Sequence, residues 1–325
     1  MNEPTAVPAL AEGLGRFRRR RWTGDLTFRS VLAVVTLLVS IVLAAMMAAS
    51  FVTASPVYQN FGIVGFITGS KWAPSFTVYG AWPFIYGTLL TSLIALILAV
   101  PVATLIALLL TELAPARLRA PLGIAVDLLA AVPSVVYGLW GLLVLVPAMR
   151  PLEQGVAATI GRAIPFLGPP TPGPSYFAAG VVLAIMIVPI VSAVTREVLA
   201  ATPRLQREAV LALGGTRWDV VRTVTLPIGR AGLLAAVVLG FGRAVGETIA
   251  VTLVIGNSNN IGRSIFAPGF TLASVIANEF NEATETLHPE ALIALGTVLL
   301  VMSVIVNAIA IAIRNRFTGG THRGF

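Results

Sequence analysis

Six long, mainly apolar stretches, at 28–52, 84–110, 122–148, 176–195, 228–256 and 291–313, dominate this 325-residue chain and set what it can fold into. A bilayer span takes about twenty such residues. Lipid offers backbone amides no partner, so each segment must close its hydrogen bonds within itself as a helix. Composition agrees: 57% of residues are hydrophobic and 11% charged, against about a quarter charged in a soluble domain. The expectation is an all-α integral membrane protein with six transmembrane helices. The first apolar run is longer than the core of a cleavable signal, so it is expected to stay as a span.

Orientation follows from where the cations fall. With the N-terminus inside, the inner set is Arg16, Arg18 to Arg21, Arg29, Arg117, Arg119, Arg196, Arg204, Arg207, Arg217, Arg222, Arg230, Arg314, Arg316 and Arg323, seventeen of the twenty-two Lys and Arg. Lys71, Arg150, Arg162 and Arg263 fall outside, and Arg243 lies within a span. Both termini are therefore expected in the cytoplasm, with tails at 1–27 and 314–325 flanking a six-span domain at 28–313. The net charge of +8 reflects this topology. Its cations sit in short loops, and no soluble domain remains to present a nucleic-acid surface.

The region 196–227 interrupts this oily pattern. Arg196, Arg204, Arg207, Arg217 and Arg222 sit here with Glu208 and Asp219, patterned for helix. Pro203 suits a helix start, and Gly214-Gly215 a stop and turn. Thr216 suits a cap, and Leu226-Pro227 is expected to end the second helix. A structured basic hairpin between two spans reads as a dock for a soluble partner. Glu208-Ala209, then Gly214, then Val224, Leu226 and Pro227 resemble the EAA loop of bacterial ABC-importer permeases, with Val210 and Val224 departing from the usual alanine and isoleucine. The resemblance implies a type I ABC-importer permease-like bundle. It also makes Glu208, Ala209, Gly214, Gly215, Leu226 and Pro227 part of a coupling helix seated in an ATP-hydrolysing subunit.

Arg243 and Glu247 lie four apart inside the fifth apolar segment, among Gly240, Gly242 and Gly246. On a helix they share a face, and ionised groups at membrane depth usually face the bundle interior or a pathway. Arg243 has the planar donor fork that fits phosphate oxygens. From the residues alone, an anion site and a structural ion pair fit equally well. Asp127, Ser92, Ser134, Tyr137, Thr248 and Thr252 add polar groups, although membrane hydroxyls commonly bond their own backbone. Prolines 101, 133, 147 and 189 interrupt the spans. In the outer region 261–290, Glu279, Glu282, Glu285 and Glu290 recur at near-helical spacing, and the stretch 270–280 is expected to form a helix on or dipping into the outer face.

Residues 130–141, AAVPSVVYGLWG, and 241–251, FGRAVGETIAV, resemble the PstC-type permease of phosphate ABC importers. The similarity extends over most of 80–313. It implies a substrate pathway through Arg243 and Glu247, with Ser134, Tyr137 and Thr248 as further candidates. The implied partners are a PstA-type sister permease, two PstB-type ATPase subunits and a PstS-type extracytoplasmic phosphate-binding protein. The implied place is the bacterial inner membrane. A PstA-like role and an importer for another oxyanion stay open.

Other classes fit poorly. A Walker A loop ends in Gly-Lys-Ser/Thr, and the single lysine, Lys71, precedes Trp72. ATP and magnesium therefore belong to a partner, and this chain is expected to bind no cofactor and to be no enzyme alone. A secondary anion transporter would need no coupling hairpin, and no inverted repeat is evident. There are no cysteines, and His288 and His322 lie far apart, so neither a thiolate nor a histidine-rich metal site is expected.

Overall fold

A computed structural model describes residues 7–161, 163–168, 173–262, 264–284 and 287–318. Arg162, Arg263, Glu285, His322 and Arg323 lie outside the described residues. The chain divides into two compact units, Met1–Val52 and Thr53–Phe325. The first is a single helix, α1 (Val7–Thr53). From Leu26 to Ala49 every one of its residues is exposed within the chain itself. A helix apolar on all faces belongs in lipid or against other protein. Position 27, where the sequence expectation puts the end of the tail, lies within α1.

The second unit begins with two short helices, α2 (Ser55–Phe61) and α3 (Ile63–Thr68), then α4 (Trp82–Leu108), which ends in a π turn at Leu109–Leu113. Next come α5 (Ala116–Ala131) and α6 (Ser134–Trp140); α6 runs through a π turn at Gly141–Leu145 into α7 (Val146–Thr159). The central helix is α8 (Tyr176–Ala200), followed by α9 (Arg204–Ala212) and α10 (Arg217–Val220). A further π turn at Val221–Thr225 joins α10 to α11 (Leu226–Val245), and α12 (Ile249–Val254), α13 (Leu272–Glu279) and α14 (His288–Thr318) complete the order. Among the described residues no strand forms. Six helices there are long and apolar enough to cross a membrane: Leu26–Thr53, Trp82–Leu113, Ser134–Thr159, Tyr176–Ala200, Arg217–Val245 and His288–Ile313.

Two of these are displaced from the sequence expectation. The stretch 122–148 is not one helix, because α5 stops at Ala131 and Val132 turns extended (ψ 128°). Proline lacks an N–H and drives the preceding residue out of the helical region, so Pro133 separates α5 from α6. The crossing helix starts at Ser134, and Arg150, expected in an outer loop, lies on α7. The stretch 228–256 is likewise broken at 246–248. Of the four prolines expected to interrupt spans, only Pro133 divides helices; Pro101 and Pro189 sit inside α4 and α8, and Pro147 follows the π turn into α7.

Helix α8 is the axis of the bundle. Ser175 caps it, its hydroxyl accepting from the Ala178 amide at 3.2 Å, and Leu183, Ile187 and Val191 are fully or almost fully buried. Small residues let neighbours approach closely, as membrane helix packing requires. A Cβ at Gly232 on α11 would come within 2.4 Å of both Val198 methyls on α8. Around the start of the second span lies a second core in which Trp72, Tyr79, Phe84 and Phe270 pack with Leu292 and Leu295. There α13 is capped by Thr271 and Ser274, and its Leu272 amide donates to Thr88 Oγ1 at 2.9 Å. The helix therefore dips into the bundle. The glutamates around it do not form one helical row: Glu279 ends α13, Glu282 lies in a 3-10 turn and Glu290 begins α14.

Candidate functional site

The break in the fifth span is built around Glu247. Helix α11 ends at Val245, Gly246 caps it, and α12 restarts at Ile249. Glu247 is buried, 4% exposed, and its Oε2 meets Arg243 Nη2 at 3.0 Å. Its other oxygen, Oε1, accepts from the Ala250 amide at 3.4 Å. The carboxylate thus ties the end of one helix to the start of the next, a role that needs the charge compensated because burying it alone is costly. Arg243 differs from its partner: its side chain is 47% exposed. Glu247 is its only side-chain partner among the described residues. The two residues do not share one continuous helix face; they meet across a break that the pair itself holds.

The 130–141 segment packs directly on this break. A Cβ on Gly138 would lie 2.8 Å from Ala250 Cα and 3.2 Å from its carbonyl oxygen, so α6 and α12 touch backbone to backbone. Gly138→Leu is expected to force them apart, since overpacking against backbone has no flexible end to yield and costs about 1–3 kcal/mol or more. Thermal unfolding in detergent should drop clearly for Gly138→Leu and less for Gly138→Ala. Equal stability of Gly138→Leu and the parent would contradict this packing.

The hydroxyl candidates separate. Tyr137 donates to the Leu129 carbonyl at 2.7 Å, bridging the Pro133 break. Thr248 and Thr252 donate to Gly246 and Thr248 carbonyls at 3.4 and 2.8 Å. These three serve their own backbone. Ser134 is half-buried at the start of α6. Ser92 is fully buried and its hydroxyl has no hydrogen-bond partner among the described residues. Asp127 lies on α5, where it pairs with Arg196 of α8 at 3.2 Å.

The hairpin forms largely as its residues dictate. Helix α9 begins just after Pro203. Gly214 takes φ +85°, a left-handed turn that glycine adopts without a Cβ penalty. A Cβ on Gly215 would press to 2.7 Å on Val210. Thr216 and Asp219 form a reciprocal capping box at the start of α10. The expected stop at Leu226-Pro227 does not occur. The π turn at Val221–Thr225 carries α10 into α11, and Pro227 sits in the first turn of α11. There its missing N–H is tolerated in a widened hydrogen-bond register. One continuous helix therefore runs from the hairpin into the fifth span. Glu208 and Ala209 are exposed, as are Leu205 (80%), Leu213 (90%) and Trp218 (63%).

A residue absent from the sequence reading holds this hairpin. Glu112, in the π turn ending the second span, accepts Arg207 Nη2 at 3.2 Å and the Thr225 hydroxyl at 3.1 Å, both on Oε1. Its backbone oxygen accepts Arg217 Nη1 at 2.9 Å. The available signal was a lone acid at the end of an apolar run in a chain whose next loops are arginine-rich. At the opposite end, Glu279 Oε2 receives Trp72 Nε1 at 2.9 Å and contacts His288 Nε2 at 3.0 Å. No group of three or more potential metal ligands occurs among the described residues.

The chain is similar in sequence and in fold to known proteins. Residues 78–319 match the binding-protein-dependent transport system inner membrane component family. The phosphate transport system permease protein PstC of Mesorhizobium japonicum is 39% identical over 310 residues, 94% of each chain. That of Haemophilus influenzae is 42% identical over 296 residues, 90% of this chain and 93% of the relative. PstC 2 of Mycobacterium tuberculosis is 47% identical over 230 residues, covering 70% and 71%. Among solved structures, a bacterial ABC transporter involved in import of the acidic polysaccharide alginate aligns with a TM-score of 0.56 at 14% identity, over 93% of this chain and 98% of that one. That likeness concerns the fold alone. Fold and site define a multi-pass helical permease component with the bundle of an ABC importer. The chain belongs to the binding-protein-dependent transport system inner membrane component family.

Proposed function

We propose that this chain is the membrane-spanning permease subunit of an ATP-driven importer that moves inorganic phosphate across the bacterial inner membrane. The observation that carries the substrate is the half-exposed Arg243, held at a break in the fifth span by the buried Glu247, in a chain whose relatives across most of its length are phosphate permeases. A guanidinium fork matches phosphate oxygens in geometry and charge. Glu247 takes one of its N–H groups and offsets part of its charge, so that the anion is held without being trapped. Ser134 stands as a further candidate in the 130–141 motif, whereas Tyr137 and Thr248 contribute through the backbone they brace.

The hairpin is the energy input. Exposed Glu208 and Ala209, with Leu205, Leu213 and Trp218 beside them, form the surface for an ATPase subunit. Two such subunits close on ATP and move the hairpins of this chain and of a sister permease. An extracytoplasmic binding protein delivers phosphate to the opposite face. The arginine distribution supports a cytoplasmic hairpin and cytoplasmic termini. The test is radiolabelled phosphate uptake in a strain lacking this chain, with and without complementation. Uptake restored by the chain and competed by phosphate but not by sulfate is expected; restoration of sulfate uptake instead would reassign the substrate.

A further inference from the structure

The hairpin is joined to the bundle by the chain at both ends, through residues 201–203 to α8 and as a continuous helix from α10 through the π turn into α11. It is also held by a side-chain node, Glu112. Its side chain is 10% exposed and that of its partner Arg207 20%. Its carboxylate oxygen Oε1 receives both Arg207 from the first hairpin helix and Thr225 from the π turn that continues the second. Its carbonyl receives Arg217 from the start of the second. One residue at the end of the second span therefore takes a bond from each part of the hairpin. Arg207 is further fixed by donating to the Leu199 carbonyl at 2.6 Å, which brings in the end of α8.

The surroundings suit transmission. Ala107, Leu108, Leu199 and Val221 form a buried apolar cluster beside the node, with Leu226 against it, so the charged contacts are screened less than surface ones. Both backbones that meet at Glu112–Thr225 are π turns, a local form associated with functional sites and helix adjustment. A rigid push on α9 or α10 thus reaches the second span laterally while it travels along α11 to the Arg243–Glu247 break.

We propose that Glu112 is the positioning residue that transmits hairpin movement into the second span, so that the second and fifth spans respond together. This rests on the reading of the hairpin as the ATPase dock. It assigns Glu112 no contact with phosphate or nucleotide. Its loss should therefore leave hydrolysis running while transport falls behind.

The test uses the complete importer, with its ATPase, sister permease and binding protein, in proteoliposomes, reading phosphate accumulated per ATP hydrolysed. Glu112→Gln keeps the shape and removes the charge. ATPase activity within about twofold of the parent and a phosphate-to-ATP ratio lowered at least ~5-fold are expected, in the range of ordinary coupling energies. An unchanged ratio, or uptake and hydrolysis falling in parallel, would overturn the proposal. If Glu112→Gln does not assemble, Thr225→Val decides by the same two criteria, since it removes one bond to the same oxygen and alters no charge. Failure of the docking reading itself is distinguishable, because ATPase recovery with the permease would then be unchanged by Glu208→Lys and Gly214→Pro, whatever the phosphate-to-ATP ratio of Glu112→Gln.

Discussion

Arg243→Gln is expected to reduce phosphate uptake at least ~10-fold, because a charge-assisted hydrogen bond is worth about 1.5–3 kcal/mol. Attraction for the anion is lost as well. The single change also strands Glu247, buried at 4% exposure with its cation gone, and an unpaired buried charge destabilises by about 3–5 kcal/mol. Low uptake alone would then be ambiguous between a broken pathway and a broken fold. The double variant Arg243→Gln with Glu247→Gln separates them. It removes both charges, and the carbonyl of the introduced side-chain amide can still accept from the Ala250 amide as Glu247 does. Assembly and thermal stability of the double variant should approach the parent while uptake stays lost. Near-normal uptake by the double variant would show that the pair only braces the helix break.

The second large effect is at the hairpin turn. Gly214 sits at φ +85° and its amide donates to the Leu211 carbonyl at 3.0 Å. Proline fixes φ near −65° and carries no N–H, so Gly214→Pro removes both the turn and its bond. The two hairpin helices would leave the register that sets Arg207 and Arg217 on Glu112. Pull-down of the ATPase subunit should fall by an order of magnitude, with uptake falling alongside it. Glu208→Lys, which reverses one exposed charge and leaves the turn intact, should weaken the same pull-down without loss of folded permease. ATPase recovery unchanged by both variants would remove the hairpin as the dock.

Much of the bundle was legible because lipid leaves so few backbone solutions. The fourth span, expected at 176–195, starts where expected and runs five residues further, to Ala200. The hairpin was legible for the same kind of reason: Gly214 and Thr216 carry strong local preferences for a turn and a cap, and each adopts them, while the reciprocal bond from Asp219 was not read. The errors lie where local breaks compete with apolar length. Pro133 divides a run that hydropathy treats as continuous, and Gly246-Glu247-Thr248 divides another. At Pro227 the reverse holds, since a π turn lets a proline stand inside a helix that it was expected to end. The Arg243–Glu247 pair was visible from spacing, but its asymmetry, one partner buried and the other half-exposed, depends on tertiary packing. Glu112 was invisible for a simpler reason. Its partners lie 95 to 113 residues away along the chain, and no periodicity links a lone acid to arginines at that distance.

Reconstitution tests the central claim most directly. Proteoliposomes would carry this chain with its sister permease and ATPase subunits, with phosphate-loaded binding protein on the opposite side from ATP. Labelled phosphate should accumulate only when ATP is present on the hairpin side, and accumulation should stop when a non-hydrolysable nucleotide replaces it. Accumulation without ATP, driven by an imposed ion gradient, would contradict the account.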